Sequence, residues 1–114
     1  MKLTINNKDY EVIVVESDED KAQGLQGITQ LAENEGMLFV YDEPCEVGYW
    51  MKSTLIPLDI IFIDDEDTVI SVHQGEPNDE TPITEDDVSY VLELNVNSGI
   101  KAGDEVEFED DDKL

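Results

Sequence analysis

Apolar and polar residues alternate at the start of the chain in a pattern that predicts a β-hairpin. Leu3 and Ile5 are separated by polar neighbours, and residues 10–15 are rich in β-branched side chains. Between these segments lie Asn6 and Asn7, and asparagine enters the left-handed conformation of a tight hairpin turn more easily than most residues. We therefore expect two antiparallel strands joined by a short turn.

A short helix is expected immediately after this hairpin. Ser17 followed by Asp20 resembles a capping box, in which a side-chain oxygen accepts from a free N–H group of the first helical turn. Gly24 and Gly27 favour the end of the helix in that region, and residues 29–34 are expected to add one further helical turn. Helix is thereby confined to the N-terminal third of the chain.

The remaining chain consists of short apolar runs separated by polar turns, which is typical of strands. Residues 60–63, IIFI, are apolar throughout, so we expect a central strand that is buried on both faces. Residues 68–74, TVISVHQ, alternate and should pair back onto that strand across a charged turn. Further strands are predicted for MLFVY, YWMKST, SYVLELNV and the segment after Gly103, whereas DEPCEVG and GEPNDETPITEDD are predicted loops.

These elements predict a mostly β (α+β) fold in a single domain. The chain has 114 residues, which is the size of one domain with one core. About seven short strands, with one or two short helices near the N-terminus, indicate a small β-barrel or sandwich, because such folds cover their sheet edges. We expect the domain to span residues 1–108 and an acidic tail to occupy residues 109–114.

Charge narrows the range of partners. The chain carries 30 Asp and Glu residues against six Lys and no Arg, which gives a formal charge of −24. Such a surface repels phosphate backbones and anionic lipids, so nucleic acids and membrane surfaces are not expected partners, whereas a basic protein surface or a small ligand is. The lack of arginine also favours an AT-rich source, such as a marine bacterium or its phage.

The sequence provides little for covalent or metal chemistry. Cys45 is the single cysteine, so an intrachain disulfide is ruled out. Cys45 and His73 lie far apart in sequence and lack a nucleophile motif, so no catalytic residue is assigned. The acidic runs lack the spacing of a calcium loop, and no Cys/His set suits zinc; we expect neither a metal nor a cofactor.

Two sequence features bear on where the protein is found. The first residues turn polar too soon for a secretion signal. No run approaches the ~18 apolar residues of a membrane span. We expect a cytoplasmic protein, or a virion component if a phage encodes it.

A candidate site emerges from charged residues placed in apolar segments. Glu93 lies within the apolar run YVLEL, and Asp59 directly precedes IIFI. A carboxylate in such a segment needs a partner, and Lys52, next to Trp50, is the best-placed cation. We expect Lys52 to pair with Asp59 or Glu93 in a semi-buried cluster that either fixes strand register or receives a ligand. The candidate ligand-binding residues are Trp50, Lys52, Thr54, Asp59 and Glu93.

Several of these segments together resemble the domain-of-unknown-function 192 (DUF192) family of bacteria and archaea. The segments are GMLFVY, YWMKSTLIPLDIIFID, YVLEL and GIKAGD, and the resemblance spans roughly residues 21–106. It implies a small β-barrel-like fold with little helix, and it implies no reaction, because none is established for the family.

The chain departs from the family pattern at several positions. Lys21 stands near the family's early Arg, Gln26 replaces a Met, and Ser53 replaces the Asn that usually follows Trp-Met-Lys. The segment after Glu93 is short, so the helix that the family commonly has there is expected to be lost. If the family has a pocket lined by the early Arg and the later helix, we expect this chain not to retain it.

Three functions remain open from the sequence. The first, which we favour, is a non-enzymatic binding or accessory domain that uses the candidate residues above. The second is a structural or accessory protein of a phage particle or other large assembly, docked by its charge onto a basic surface. The third is a carboxylate-dependent hydrolase with Asp59 or Glu93 as its base.

Overall fold

The computed structural model describes residues 1–109 and contains seven strands and one helix. In chain order these are β1 (Lys2–Ile5), β2 (Lys8–Val15), α1 (Asp18–Gln23), β3 (Glu35–Tyr49), β4 (Leu58–Ile63), β5 (Val69–Gly75), β6 (Ile83–Asn95) and β7 (Val106–Phe108). The predicted acidic tail falls almost entirely on residues 110–114, outside the described residues. No helix within residues 1–109 is long and apolar enough to cross a bilayer.

The strands form one curled sheet in the order β5-β4-β6-β3-β2-β1-β7. Neighbouring strands are antiparallel, except that β2 and β3 are parallel and are connected through α1. The two edge strands approach each other where Thr68 and Glu105 form an isolated bridge. Beside it, the Val69 amide donates to the Asp104 carbonyl at 2.8 Å. The predicted mostly β, barrel-like fold is therefore confirmed.

Both faces of the central strands are buried, because side chains alternate between the two faces of a sheet. The first core cluster lies on one face and includes Leu38, Ile61, Leu92 and Leu94. The second core cluster lies on the other face and includes Phe39, Ile60, Phe62 and Val91. Every residue of β4 is buried, which confirms the predicted central strand.

The N-terminal elements largely match their prediction. Asn6 and Asn7 form the hairpin turn with φ of 53° and 66°. The Ser17 hydroxyl caps α1 by accepting from the Asp20 amide at 3.1 Å, and Gly24 ends the helix with φ of 50°. The prediction of a further helical turn at residues 29–34 is wrong. The end of that segment forms a turn instead, in which the Glu35 amide donates to the Ala32 carbonyl at 3.0 Å.

The sequence predicts two strands separated by a loop in the region where the structure has the single strand β3. It is one strand of 15 residues with register shifts on both sides of Cys45, so the expected DEPCEVG loop is a bulged part of the strand. It ends at Tyr49, and residues 50–57 form a turn segment rather than the predicted YWMKST strand. β6 begins at Ile83 and pairs with this bulged part. Residues 83–87 of the predicted loop GEPNDETPITEDD are therefore strand as well. Pairing between β3 and β6 overrides the polar composition of both predicted loops.

Gly36 provides a test of this pairing, because it lies opposite Leu94 where β3 and β6 come very close. A Cβ atom at position 36 would stand 2.5 Å from the Glu93 carbonyl oxygen and 2.5 Å from Leu94 Cδ2. A backbone carbonyl within a paired strand does not yield easily. We therefore expect Gly36→Ala to lower the free energy of unfolding by ~2 kcal/mol, measured by chemical denaturation.

Gly48→Ala is the matched control on the same strand. The nearest atom to a Cβ there is Thr84 Cγ2 at 3.7 Å, which is ordinary contact. Equal denaturation midpoints for the two variants would contradict the close approach at Gly36.

Candidate functional site

A cavity of about 270 Å³ opens between α1, the turn that follows it and the bulged part of β3. We call it the α1–β3 cavity. Helix α1 and its turn form one wall, strand β3 forms another, and the segment after β3 completes the rim. The residues lining it are Asp18, Lys21, Ala22, Gln23, Gly24, Leu25, Gln26, Phe39, Tyr41, Gly48, Tyr49, Trp50, Thr54 and Glu93.

Glu93 is the buried acid of this cavity. The register of β6 places it between Met37 of β3 and Ile60 of β4, on the face of the second core cluster. The side chain is 5 % exposed, and within residues 1–109 its carboxyl group has neither a hydrogen bond nor an ion pair. Burial raises the pKa of Glu93 to about 7, because the charged form loses its hydration. Glu93 can therefore be neutral or ionised near neutral pH.

Two tyrosines form the polar part of the β3 wall. The Tyr41 and Tyr49 hydroxyl groups share a hydrogen bond of 2.7 Å. The Tyr49 ring packs edge-on against Phe39, with ring centroids 5.2 Å apart. Burial raises the pKa of both tyrosines above the ordinary value, most strongly for Tyr49. Both hydroxyls therefore remain neutral hydrogen-bonding groups at physiological pH.

Lys21 brings the cavity's positive charge. It lies in the last turn of α1, and its ammonium group sits 3.9 Å from the centre of the Tyr41 ring. This is a cation–π contact, in which the negative face of the ring attracts the charge. Lys21 is thus engaged with an aromatic face rather than with Glu93.

The predicted ion pair of Lys52 with Asp59 or Glu93 is not present. In the described part of the chain, the ion pairs within 4.0 Å are those formed by Lys2. Lys52 is exposed and lies 5.1 Å from the centre of the Trp50 ring, outside the set of cavity-lining residues. A surface cation–π contact keeps the ammonium hydrated, whereas pairing with a buried acid would cost its desolvation.

Asp59 does not join Glu93 either. Asp59 pairs with Leu94 whereas Glu93 pairs with Ile60, so the two carboxylates point to opposite faces of the sheet. Asp59 Oδ2 accepts from the Ser98 amide at 2.9 Å and from the Ser98 hydroxyl at 2.5 Å. This acid anchors the loop before β7, and the structure does not bring it to the α1–β3 cavity.

Trp50 and Thr54 do line the cavity with Glu93. Trp50 is 46 % exposed at the rim, while Thr54 is buried. A tight turn positions Thr54: its amide donates to the Met51 carbonyl at 3.0 Å, and Ser53 adopts φ of 58°. Three of the five predicted site residues thus share one cavity.

Sequence reasoning missed most of the aromatic wall, which is the part of the cavity lining formed by Phe39, Tyr41, Tyr49 and Trp50. Phe39 and Tyr41 are two positions apart on a predicted strand, so the alternation of side chains was a signal that could have placed both on one face. Tyr49 was assigned to a separate strand, because the bulged part of β3 has the composition of a loop. For Lys21, the sequence indicates only its place near the family's early Arg.

The comparisons with known proteins agree with this architecture. Residues 1–108 match the family model DUF192, described as "Uncharacterized ACR". The chain belongs to the DUF192 family. No curated protein is detectably similar to it.

Two crystal structures are similar to this DUF192 domain. One is a protein of unknown function from Novosphingobium aromaticivorans, with 32 % identity, a TM-score of 0.88, and coverage of 94 % of this chain and 84 % of that one. The other, from Sinorhizobium meliloti, is named as a candidate transcription regulator, with 34 % identity, a TM-score of 0.86, and coverage of 93 % and 89 %. Neither similarity supports the expected phage or marine origin.

The departures from the DUF192 pattern have structural counterparts. Ser53 occupies a left-handed conformation with φ of 58°, which asparagine, the residue expected there from the resemblance, tolerates better than serine. The segment between Asn95 and β7 contains no helix, as expected from its short length. Lys21 and Gln26, at which the sequence departs from the family pattern that it resembles, both line the α1–β3 cavity.

Glu93→Gln tests the burial of the acid in this DUF192 domain. The folded protein holds the proton more tightly than the unfolded chain, whose carboxyl has the ordinary pKa of 4.5. The stability penalty is absent below about pH 4.5, grows up to about pH 7, and is complete above it. At about 1.4 kcal/mol for each unit of pKa difference, the complete penalty is on the order of 3 kcal/mol.

Glutamine carries no charge, so we expect Glu93→Gln to stabilise the protein at about pH 8 and to change it little at about pH 4. Urea denaturation at both pH values measures this, and the comparison with wild type cancels the effect of the other acids. A difference that does not depend on pH would contradict the assignment.

Proposed function

We propose that this DUF192 domain is a non-enzymatic binding domain for a small molecule, with the α1–β3 cavity as its site. One observation carries the proposal: Glu93 is almost fully buried, lines an open cavity and lacks a partner within residues 1–109. Burial strips the Glu93 carboxyl of much of its hydration at a cost in free energy, although its oxygens still reach the open cavity. A ligand that bonds to Glu93 would recover that cost on binding.

The surrounding groups are suited to holding a ligand. Tyr49 and Trp50 offer aromatic surface, and Phe39 and Thr54 also line the cavity. The tyrosine hydroxyls are bonded to each other and resist ionisation, so they serve as neutral hydrogen-bonding groups rather than as bases. The lining combines these aromatic rings with charged and polar side chains, and placed polar groups of this kind fix the orientation of a ligand in small-molecule sites.

The charge of the chain bears on the name given to the protein from Sinorhizobium meliloti. A formal charge of −24 opposes direct contact with a nucleic acid backbone. A regulatory role for this chain would therefore run through its ligand and through a basic protein partner. Its place of action in this proposal is the cytoplasm.

A fragment titration followed by ¹H–¹⁵N NMR tests the proposal. The fragment set contains small cations, anions and neutral compounds. We expect some members to shift the amide signals of Gly24 and Gly48 and the indole signal of Trp50, saturably and at one site. A set that leaves these signals unchanged would refute the proposal, and turnover of a fragment would replace it with the hydrolase alternative.

A pair of tryptophan variants confirms the location. Ala22→Trp narrows the cavity, because Ala22 lines it, and should weaken fragment binding by ~10-fold or more through steric exclusion. Ala32→Trp makes the same change at an exposed position that lines none of the described cavities, and should leave binding unaltered. Equal affinities for the two variants would place the binding elsewhere.

A further inference from the structure

We infer that the ligand of the α1–β3 cavity is a small organic cation with a protonated amine, whose N–H groups donate to Glu93 while its carbon body lies against the aromatic wall. This inference rests on the proposed function and adds to it the chemical class of the ligand. Three independent features of the cavity lead to it.

The first feature is a carboxylate without a counter-ion. An ionised carboxylate only accepts hydrogen bonds, and an ammonium group supplies three donors. Neither nearby lysine fills this place: Lys21 lies over the Tyr41 ring, and Lys52 lies over Trp50 outside the cavity. The chain therefore leaves an open position for a cation next to Glu93.

The second feature is the aromatic wall. Phe39, Tyr41, Tyr49 and Trp50 all line the cavity, and the faces of such rings attract cations. The wall already holds one ammonium group, that of Lys21, at 3.9 Å from the Tyr41 ring. Because Lys21 occupies that face of Tyr41, the ammonium group of a ligand would lie against the other rings of the wall.

The third feature is the field of the whole protein. A formal charge of −24 raises the local concentration of cations and repels anions from the cavity mouth, where Asp18 adds a further negative charge. The volume of about 270 Å³ sets the size. At ~30 Å³ for each water-sized group, it accommodates on the order of ten non-hydrogen atoms.

The opposite choice is an anion, held by a protonated Glu93 that donates to it, with Lys21 as counter-charge. Proton linkage separates the two choices, because the pKa of Glu93 is about 7. A bound cation favours the ionised form and releases protons, whereas a bound anion favours the neutral form and takes protons up. The other titratable groups facing Glu93 are Asp18 and Lys21 from α1, Tyr41 and Tyr49 from β3, and His73, which shares its face of the sheet through Ile60 of β4.

The experiment compares three probes that share one ring and differ in the head group: benzylammonium, benzyl alcohol and benzoate. Calorimetry in buffers of different ionisation enthalpy at about pH 7 gives the affinity and the protons exchanged, and NMR gives the location. We expect benzylammonium to bind ~10-fold or more tightly than either analogue, with proton release, as a charge-assisted hydrogen bond in a buried site would give.

Two variants separate the site from attraction by the acidic surface. Glu93→Gln keeps the shape and removes the charge, so it should abolish the proton release and weaken benzylammonium by ~10-fold or more. Ala22→Trp, compared with Ala32→Trp, blocks the cavity without touching Glu93. A loss of benzylammonium affinity in Ala22→Trp therefore tests the location of the site even if Glu93→Gln disturbs the fold.

The outcomes distinguish this inference from the proposed function. If benzoate or benzyl alcohol binds in the cavity as tightly as benzylammonium or more tightly, the inference of a cationic ligand is overturned. The proposal of a small-molecule binding domain is then still supported. Benzylammonium binding that Glu93→Gln does not change also overturns the cation. If none of the three probes changes the NMR signals of the cavity, the cation inference is overturned as well. If the fragment set also leaves these signals unchanged, the proposed function is refuted too.

Discussion

The register of β6 between β3 and β4 is the constraint on which the rest of the structure depends. It sets Leu92 and Leu94 on the face of the first core cluster and Glu93 on the face of the second. A slip of one residue would exchange these faces, putting an acid into the first core cluster and two leucines next to the cavity. The close approach at Gly36 holds this register, because a larger residue at that position of β3 would collide with β6.

From this register follows the difference between the two buried acids. Asp59 lies on the opposite face, where a hydroxyl and an amide of Ser98 satisfy one carboxylate oxygen and tie the loop before β7 to the sheet. Glu93 lies where α1 and the bulged part of β3 leave a space, and the chain supplies no donor for it within residues 1–109. One acid thus serves the fold, while the other is held unpaired at a cost in stability that grows with pH.

Much of the fold could be predicted from local patterns, because hairpin turns, the cap of α1 and the apolar run of β4 are set by residues close in sequence. The bulged part of β3 could not, because its polar composition resembles a loop and only pairing with β6 makes it a strand. The site was predicted in part for a similar reason. Glu93 stood out as an acid in an apolar segment and Trp50 as the neighbour of Lys52, whereas the contribution of Tyr49 depends on the pairing of β3 with β6, which lie far apart in sequence.

The position of Lys52 explains why the cavity remains available to a ligand. An internal ion pair with Glu93 would have satisfied the carboxylate and filled the place of a ligand cation, but it would have required the ammonium to lose its water. On the outside of Trp50 the same ammonium keeps its hydration and still gains a cation–π contact. Lys21 follows the same rule on Tyr41. With both lysines held by aromatic faces, the Glu93 carboxyl is left without a lysine beside it, and the inferred cationic ligand rests on this arrangement in so acidic a chain.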